Sequence, residues 1–68
     1  MQVTAVLTPA EEGGYVAFNP ETGTASQGET IDEALANLRE AVELFLEDEP
    51  ITISGPSFMT MLTVKEHA

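Results

Sequence analysis

An amphipathic helix is predicted by residues 30–45, which read TIDEALANLREAVELF. Thr30 and Glu33 form a capping box, in which the threonine hydroxyl accepts from an orphan N–H and the glutamate reaches back to the N–H of Thr30. Apolar residues then recur at spacings of three and four: Ile31, Ala34, Leu35, Leu38, Ala41, Val42 and Phe45. Pro50 ends the helix, since proline lacks the N–H that a helix interior needs.

Three short strands are predicted before this helix. Met1–Leu7 alternates apolar and polar residues and should end before Pro9. A glycine-containing turn leads to a second strand at Tyr15–Phe18, so the first two strands should form a hairpin. A Pro–Gly turn leads to a short third strand at Thr24–Gln27.

The segment after the helix is also expected to be extended. Ile51–Ser54 is rich in β-branched residues, and Ser57–Lys65 has a period of two with apolar residues on both faces. The predicted order is β-β-β-α-β, an α+β fold in which one long helix packs on one face of a small antiparallel sheet. All 68 residues should form this single domain.

Charge and composition exclude several classes of protein. The chain has twelve acidic residues and only two cationic ones, Arg39 and Lys65, which gives a net charge of −10. We therefore expect no direct binding to nucleic acid. Apolar runs are far shorter than the roughly 18 residues of a membrane span, and Met1–Leu7 lacks the basic start of a signal peptide. No cysteine is present to form a disulfide or a thiolate metal site. We therefore expect a cytoplasmic protein without a cofactor.

Few residues could carry catalysis. His67 is the sole histidine and lies next to the last residue, where a base is poorly held beside a nucleophile. The acidic pairs lack the spacing of a calcium loop, so we expect no metal site. A non-enzymatic binding module is the interpretation that remains. Glu40, Glu43 and Glu47 are spaced to form one stripe on the back of the helix and are the predicted contacts for a basic partner.

Small size favours self-association. A core of fewer than about 70–80 residues supplies little stability alone, and the chain has no disulfide to help it. One helix cannot cover both faces of a sheet, so the second apolar face of the last strand should meet another copy of the chain. This face carries Met59 and Met61, which are the predicted interface of a homo-oligomer, a dimer or tetramer.

Residues 12–18, EGGYVAF, the turn at Pro20–Gly23 and residues 27–41, QGETIDEALANLREA, together resemble the HicB family of antitoxins. The positions that match the family pattern are Pro20, Gly23, Ser26, Gln27, Gly28, Thr30, Glu33, Ala34, Asn37, Glu40 and Ala41. The similarity covers about residues 3–47.

The resemblance implies a partial double-stranded-RNA-binding-domain-like fold and a protein partner. HicB antitoxins bind and mask HicA, a small basic toxin that cleaves RNA with a histidine. Many also carry a C-terminal DNA-binding domain, which we do not expect within these 68 residues. An alternative stays open: an orphan HicB-like oligomer with a structural or scaffolding role and no toxin partner. A small basic reading frame with one histidine next to this gene would favour the antitoxin.

Overall fold

The computed structural model describes residues 1–49 and 55–66. It contains three strands and one helix in the order β1 (Val6–Pro9), β2 (Tyr15–Asn19), β3 (Thr24–Gly28) and α1 (Ile31–Asp48). The strands form an antiparallel sheet in the order β1-β2-β3, with α1 packed against β2 and β3. The predicted α+β class, with one long helix on one face of a small antiparallel sheet, is confirmed.

The first strand of the hairpin, β1, begins later in the sequence than the alternation of apolar and polar residues predicts. β1 pairs with β2 from Pro9 opposite Tyr15 to Val6 opposite Phe18. Pro9 is tolerated because β1 is an edge strand. Pairing stops before Thr4, whose N–H and C=O instead bond to the side chains of Glu21 and Asn19.

The predicted final strand at Ser57–Lys65 is wrong. Residues 56–66 have no strand structure and are exposed, and the bonds shown from 57–65 to the body of the protein are both at Ser57. Apolar alternation makes a segment compatible with a strand, but a strand also needs a ladder of hydrogen bonds to a neighbour, and residues 56–66 form none with either edge strand, β1 or β3. The predicted extended segment Ile51–Ser54 lies outside the described residues.

Helix α1 begins as predicted and ends near the predicted stop. Thr30 Oγ1 accepts from the N–H of Glu33 at 3.1 Å, which makes Thr30 the N-cap. The second half of the predicted capping box differs, because Glu33 Oε1 accepts from the N–H of Glu29 at 3.2 Å rather than from that of Thr30. The C-cap is Glu49, whose N–H donates to the carbonyl of Phe45.

The core lies between β2 and α1 and is small. Among the described residues its fully buried apolar side chains are Ala17, Ala34, Leu38 and Val42. Half-buried Leu7, Tyr15 and Leu46 pack around them. Two of the four buried side chains are alanines, so this centre excludes little apolar surface from water.

Candidate partner-binding surface

The three glutamates predicted to contact a partner lie together on α1. Glu40, Glu43 and Glu47 are all exposed, while Ala34, Leu38 and Val42 are buried on the other side of the helix. At 3.6 residues per turn the three positions fall within about 60° of one another. They therefore form a continuous acidic stripe that faces away from the sheet.

The end of α1 concentrates further negative charge. Glu47, Asp48 and Glu49 are exposed, and the last turn contains no basic residue. The C-terminal end of a helix already carries a partial negative charge, which acidic side chains oppose. This end is thus electrostatically unfavourable for the free helix and attractive to a cation.

An apolar groove runs beside the acidic stripe. It has a volume of about 470 Å³ and lies between the N-terminal segment and α1. Its apolar lining residues are Met1, Val3, Ala5, Leu35, Leu38, Val42 and Leu46. Thr4, Arg39 and Glu43 complete its wall, so one member of the acidic stripe stands at its rim.

Met59 and Met61, the predicted oligomer contacts, lie on the segment that follows the helix. Their side chains are 70 % and 93 % exposed. The structure does not bring them into the sheet or beside one another on a strand face, because no strand forms there. They do share an exposed segment with Phe58, Leu62 and Val64, which are exposed to a similar degree.

A hydrogen-bond network that the sequence interpretation missed joins the N-terminal segment and the segment that follows α1 to the turn after β2. Glu21 Oε1 accepts from the N–H of Thr4 and from Asn19 Nδ2, both at 2.7 Å. Glu21 Oε2 accepts from Thr4 Oγ1 at 2.8 Å and from the N–H of Ser57 at 2.6 Å. The carbonyl oxygen of Ser57 lies 3.1 Å from Thr4 Oγ1, so the single hydroxyl proton of Thr4 is shared between this oxygen and the nearer Glu21 Oε2.

Asn19 completes this network from inside the protein. It is fully buried, its Nδ2 donates to the carbonyl of Thr4 at 2.8 Å, and its Oδ1 accepts from the N–H of Thr22 at 2.9 Å. An Asn-Pro pair before a glycine does signal a side-chain-supported turn. No local pattern signals the bonds that reach Thr4 and Ser57.

The hydrogen bonds to Glu21 favour its charged form. The backbone N–H of Thr4 has the largest effect, and Ser57 and the Thr4 hydroxyl add to it. Partial desolvation acts in the opposite direction but is outweighed, so the pKa of the Glu21 carboxyl lies well below its ordinary value. Glu21 is therefore an ionised clamp between the N-terminal segment and the segment that follows α1.

A second, polar cleft of about 390 Å³ lies at the opposite end of the sheet, beside the turn between β1 and β2. Its acidic lining residues are Glu12, Glu29 and Glu33, and Tyr15 also lines it. Within residues 1–49 and 55–66, no group of three or more His, Asp or Glu side chains is placed to hold a metal ion. His67 lies outside that part of the chain.

No helix in the described ranges is long and apolar enough to cross a membrane.

Most of the chain matches a known protein family. A family of unknown function, DUF7387, matches residues 4–60. The chain belongs to this family. The DUF7387 match includes the three strands, α1 and the Glu21 network.

Curated relatives carry the family name UPF0150. The protein ssl0738 of Synechocystis is 48 % identical over 48 residues, which are 69 % of this chain and 67 % of the relative. A Helicobacter pylori protein is 47 % identical over 49 residues, 71 % of this chain and 67 % of the relative. Thermoplasma acidophilum Ta0767 is 40 % identical over 48 residues, 69 % and 70 % of the two chains. No solved structure matches this DUF7387 chain.

Proposed function

We propose that this chain is a non-enzymatic, HicB-like antitoxin module of the cytoplasm, which binds and masks a small basic HicA-type toxin that cleaves RNA. The observation that carries the proposal is the exposed acidic stripe of Glu40, Glu43 and Glu47 on the face of α1 that the sheet leaves free. The resemblance of residues 3–47 to the HicB pattern names the partner class.

Electrostatics explains how such a stripe would mask a toxin. A protein that binds RNA presents cations to phosphates, and a row of carboxylates offers those cations an alternative partner. The net charge of −10 adds long-range attraction that speeds the encounter.

The end of α1 supports a role outside folding. Glu47, Asp48 and Glu49 oppose the helix dipole without a basic residue in the last turn to compensate. Residues that lower local stability are expected where function requires them. A cationic partner would relieve this repulsion on binding.

The test begins with a search for a small basic reading frame beside this gene, whose product would be purified with and without the present chain. Replacement of Glu40, Glu43 and Glu47 by Gln should slow association with that protein by about tenfold and flatten the salt dependence of the rate, because exposed charges act mainly on association. RNA cleavage by the basic protein should be suppressed by the parent chain and less so by the variant.

The matched control replaces Glu11, Glu12 and Glu29 by Gln. These exposed residues lie around the β1–β2 turn and the start of α1, and both variants have a net charge of −7. Equal association rates for the two variants would show that total charge matters and the stripe does not. If the parent neither binds the basic protein nor protects RNA, the orphan structural oligomer becomes the better interpretation.

A further inference from the structure

Two uncharged stretches of the sequence meet on one side of the molecule. Residues 1–10 and 55–64 contain no charged side chain, although the chain carries 14 charged residues in 68. Thr4 and Ser57 bond to each other and to the same Glu21 carboxylate, so the two stretches are adjacent in space. Apart from the Glu21 carboxylate that joins them, the two stretches carry no charged side chain, so two copies with a charge of −10 meet less repulsion here than along the acidic stripe of α1.

One of these stretches is an apolar arm, which we define as residues 58–64. Phe58 is 98 % exposed and Met61 is 93 % exposed, with Met59, Leu62 and Val64 also largely in water. Five large apolar side chains in seven residues form the kind of surface that marks an interaction site.

The other stretch forms a wall of the apolar groove. Met1, Val3 and Ala5 line it from the N-terminal segment, and α1 supplies the rest. The arm leaves the body at Ser57, beside Thr4 in the groove wall. An apolar arm and an apolar groove therefore occur side by side, and each lacks a partner within the described chain.

We propose that two copies of this chain exchange their arms, so that residues 58–64 of each copy lie in the groove of the other about a two-fold axis. In an extended conformation the arm would carry apolar residues on both of its faces, because Phe58, Leu62 and Val64 alternate with Met59 and Met61 except at Thr60 and Thr63. A single groove covers one face only. In reciprocal exchange each arm lies between two bodies, and both faces are covered.

Area and charge both fit a second copy. Burial of five large apolar side chains per copy, at roughly 60–120 Å² each, approaches the total of about 1,200–2,000 Å² in a stable interface once the covered groove is added. Lys65 directly follows the arm, and the groove wall carries one charge of each sign, Arg39 and Glu43, of which Glu43 is the opposite charge to Lys65. This inference is independent of the proposed toxin binding.

Sedimentation of the purified chain at micromolar concentration tests the assembly. The parent should be a dimer, and M61D should raise the dissociation constant at least tenfold. The matched control is L44D, which places the same charge on an exposed α1 residue outside both arm and groove. It should leave the dimer intact. A monomeric parent, or equal weakening by the two variants, would overturn the proposal.

Disulfide trapping tests the exchange itself, since the natural chain has no cysteine. A mixture of M61C and L35C chains should form mixed disulfide dimers on mild oxidation, and a mixture of M61C and L44C should form far fewer. Equal yields would exclude docking of the arm in the partner's groove. Closure of a chain carrying both M61C and L35C as a monomer would show that the arm occupies its own groove, which also overturns the proposal.

Discussion

Gly28 sits where the end of β3 meets the start of α1, and its missing side chain sets how closely the two approach. A Cβ at this position would lie 2.5 Å from the backbone nitrogen of Ala34 and 2.8 Å from the carbonyl carbon of Glu33. Both atoms belong to the first turns of α1, which cannot yield without moving the helix. Gly28 is therefore a packing requirement rather than a flexible point.

Substitution G28A should destabilise the protein by about 1–3 kcal/mol, because the added methyl group forces α1 away from the sheet. Urea denaturation followed by far-UV circular dichroism measures the change. The control is G55A, where an added Cβ would meet nothing within 4 Å. Indistinguishable midpoints for the two variants would show that the contact at Gly28 relaxes without cost.

Individual residues were predictable where their partners are near in sequence. The Thr30 cap follows from a spacing of three and is present, while Glu33 accepts from the N–H of Glu29, one residue earlier than the capping box predicts. The roles of Asn19 and Glu21 were not predictable, since Thr4 and Ser57 are brought to them only by the tertiary fold.

The Glu21 clamp ties three segments together, and its ionisation should make that tie depend on pH. The pKa of Glu21 is lowered in the folded protein, chiefly by the N–H of Thr4. A lowered folded-state pKa gives stability that is present above the ordinary value of about 4.3 and is lost as pH falls through the folded-state value. The clamp therefore stabilises the fold at neutral pH and weakens in acid.

We expect E21Q to be less stable than the parent at pH 7, with a difference that shrinks as pH falls below about 4.3. Denaturation midpoints of both proteins between pH 7 and pH 3 give this difference directly. E47Q removes an equal charge from the last turn of α1, where a carboxylate opposes the dipole, so its midpoint at pH 7 should equal or exceed that of the parent. A pH-independent gap between parent and E21Q would contradict the clamp.

Whole elements were predictable when local signals coincided. The periodic apolar stripe and the N-cap correctly predicted α1, and the turns that contain glycine and proline correctly predicted the order of β1, β2 and β3. Alternation of apolar and polar residues placed β1 too early and wrongly predicted a strand at Ser57–Lys65. A period of two indicates which faces of a strand are apolar, but it does not identify the strand that pairs with it. The acidic stripe was predictable because helical periodicity determines which residues of α1 share a face. The groove was not predictable, because it depends on how the N-terminal segment lies against α1 in the tertiary fold.

Charge and apolar surface are segregated across the molecule, and this gives its two proposed contacts opposite responses to salt. The acidic stripe would attract a basic partner, so added salt should slow that association. The arm carries no charged side chain and the two charged residues of the groove, Arg39 and Glu43, are of opposite sign, while each copy carries a net charge of −10. Screening reduces repulsion between two copies without weakening apolar contacts.

Self-association should therefore tighten between 50 mM and 500 mM NaCl, by about threefold or more in dissociation constant, while association with the basic protein slows over the same range. Sedimentation equilibrium gives the first quantity and stopped-flow fluorescence gives the second. The M61D variant separates the two effects, since it should weaken self-association and leave the salt dependence of partner association unchanged. If self-association instead weakens with salt, ion pairs rather than the apolar arm hold the copies together.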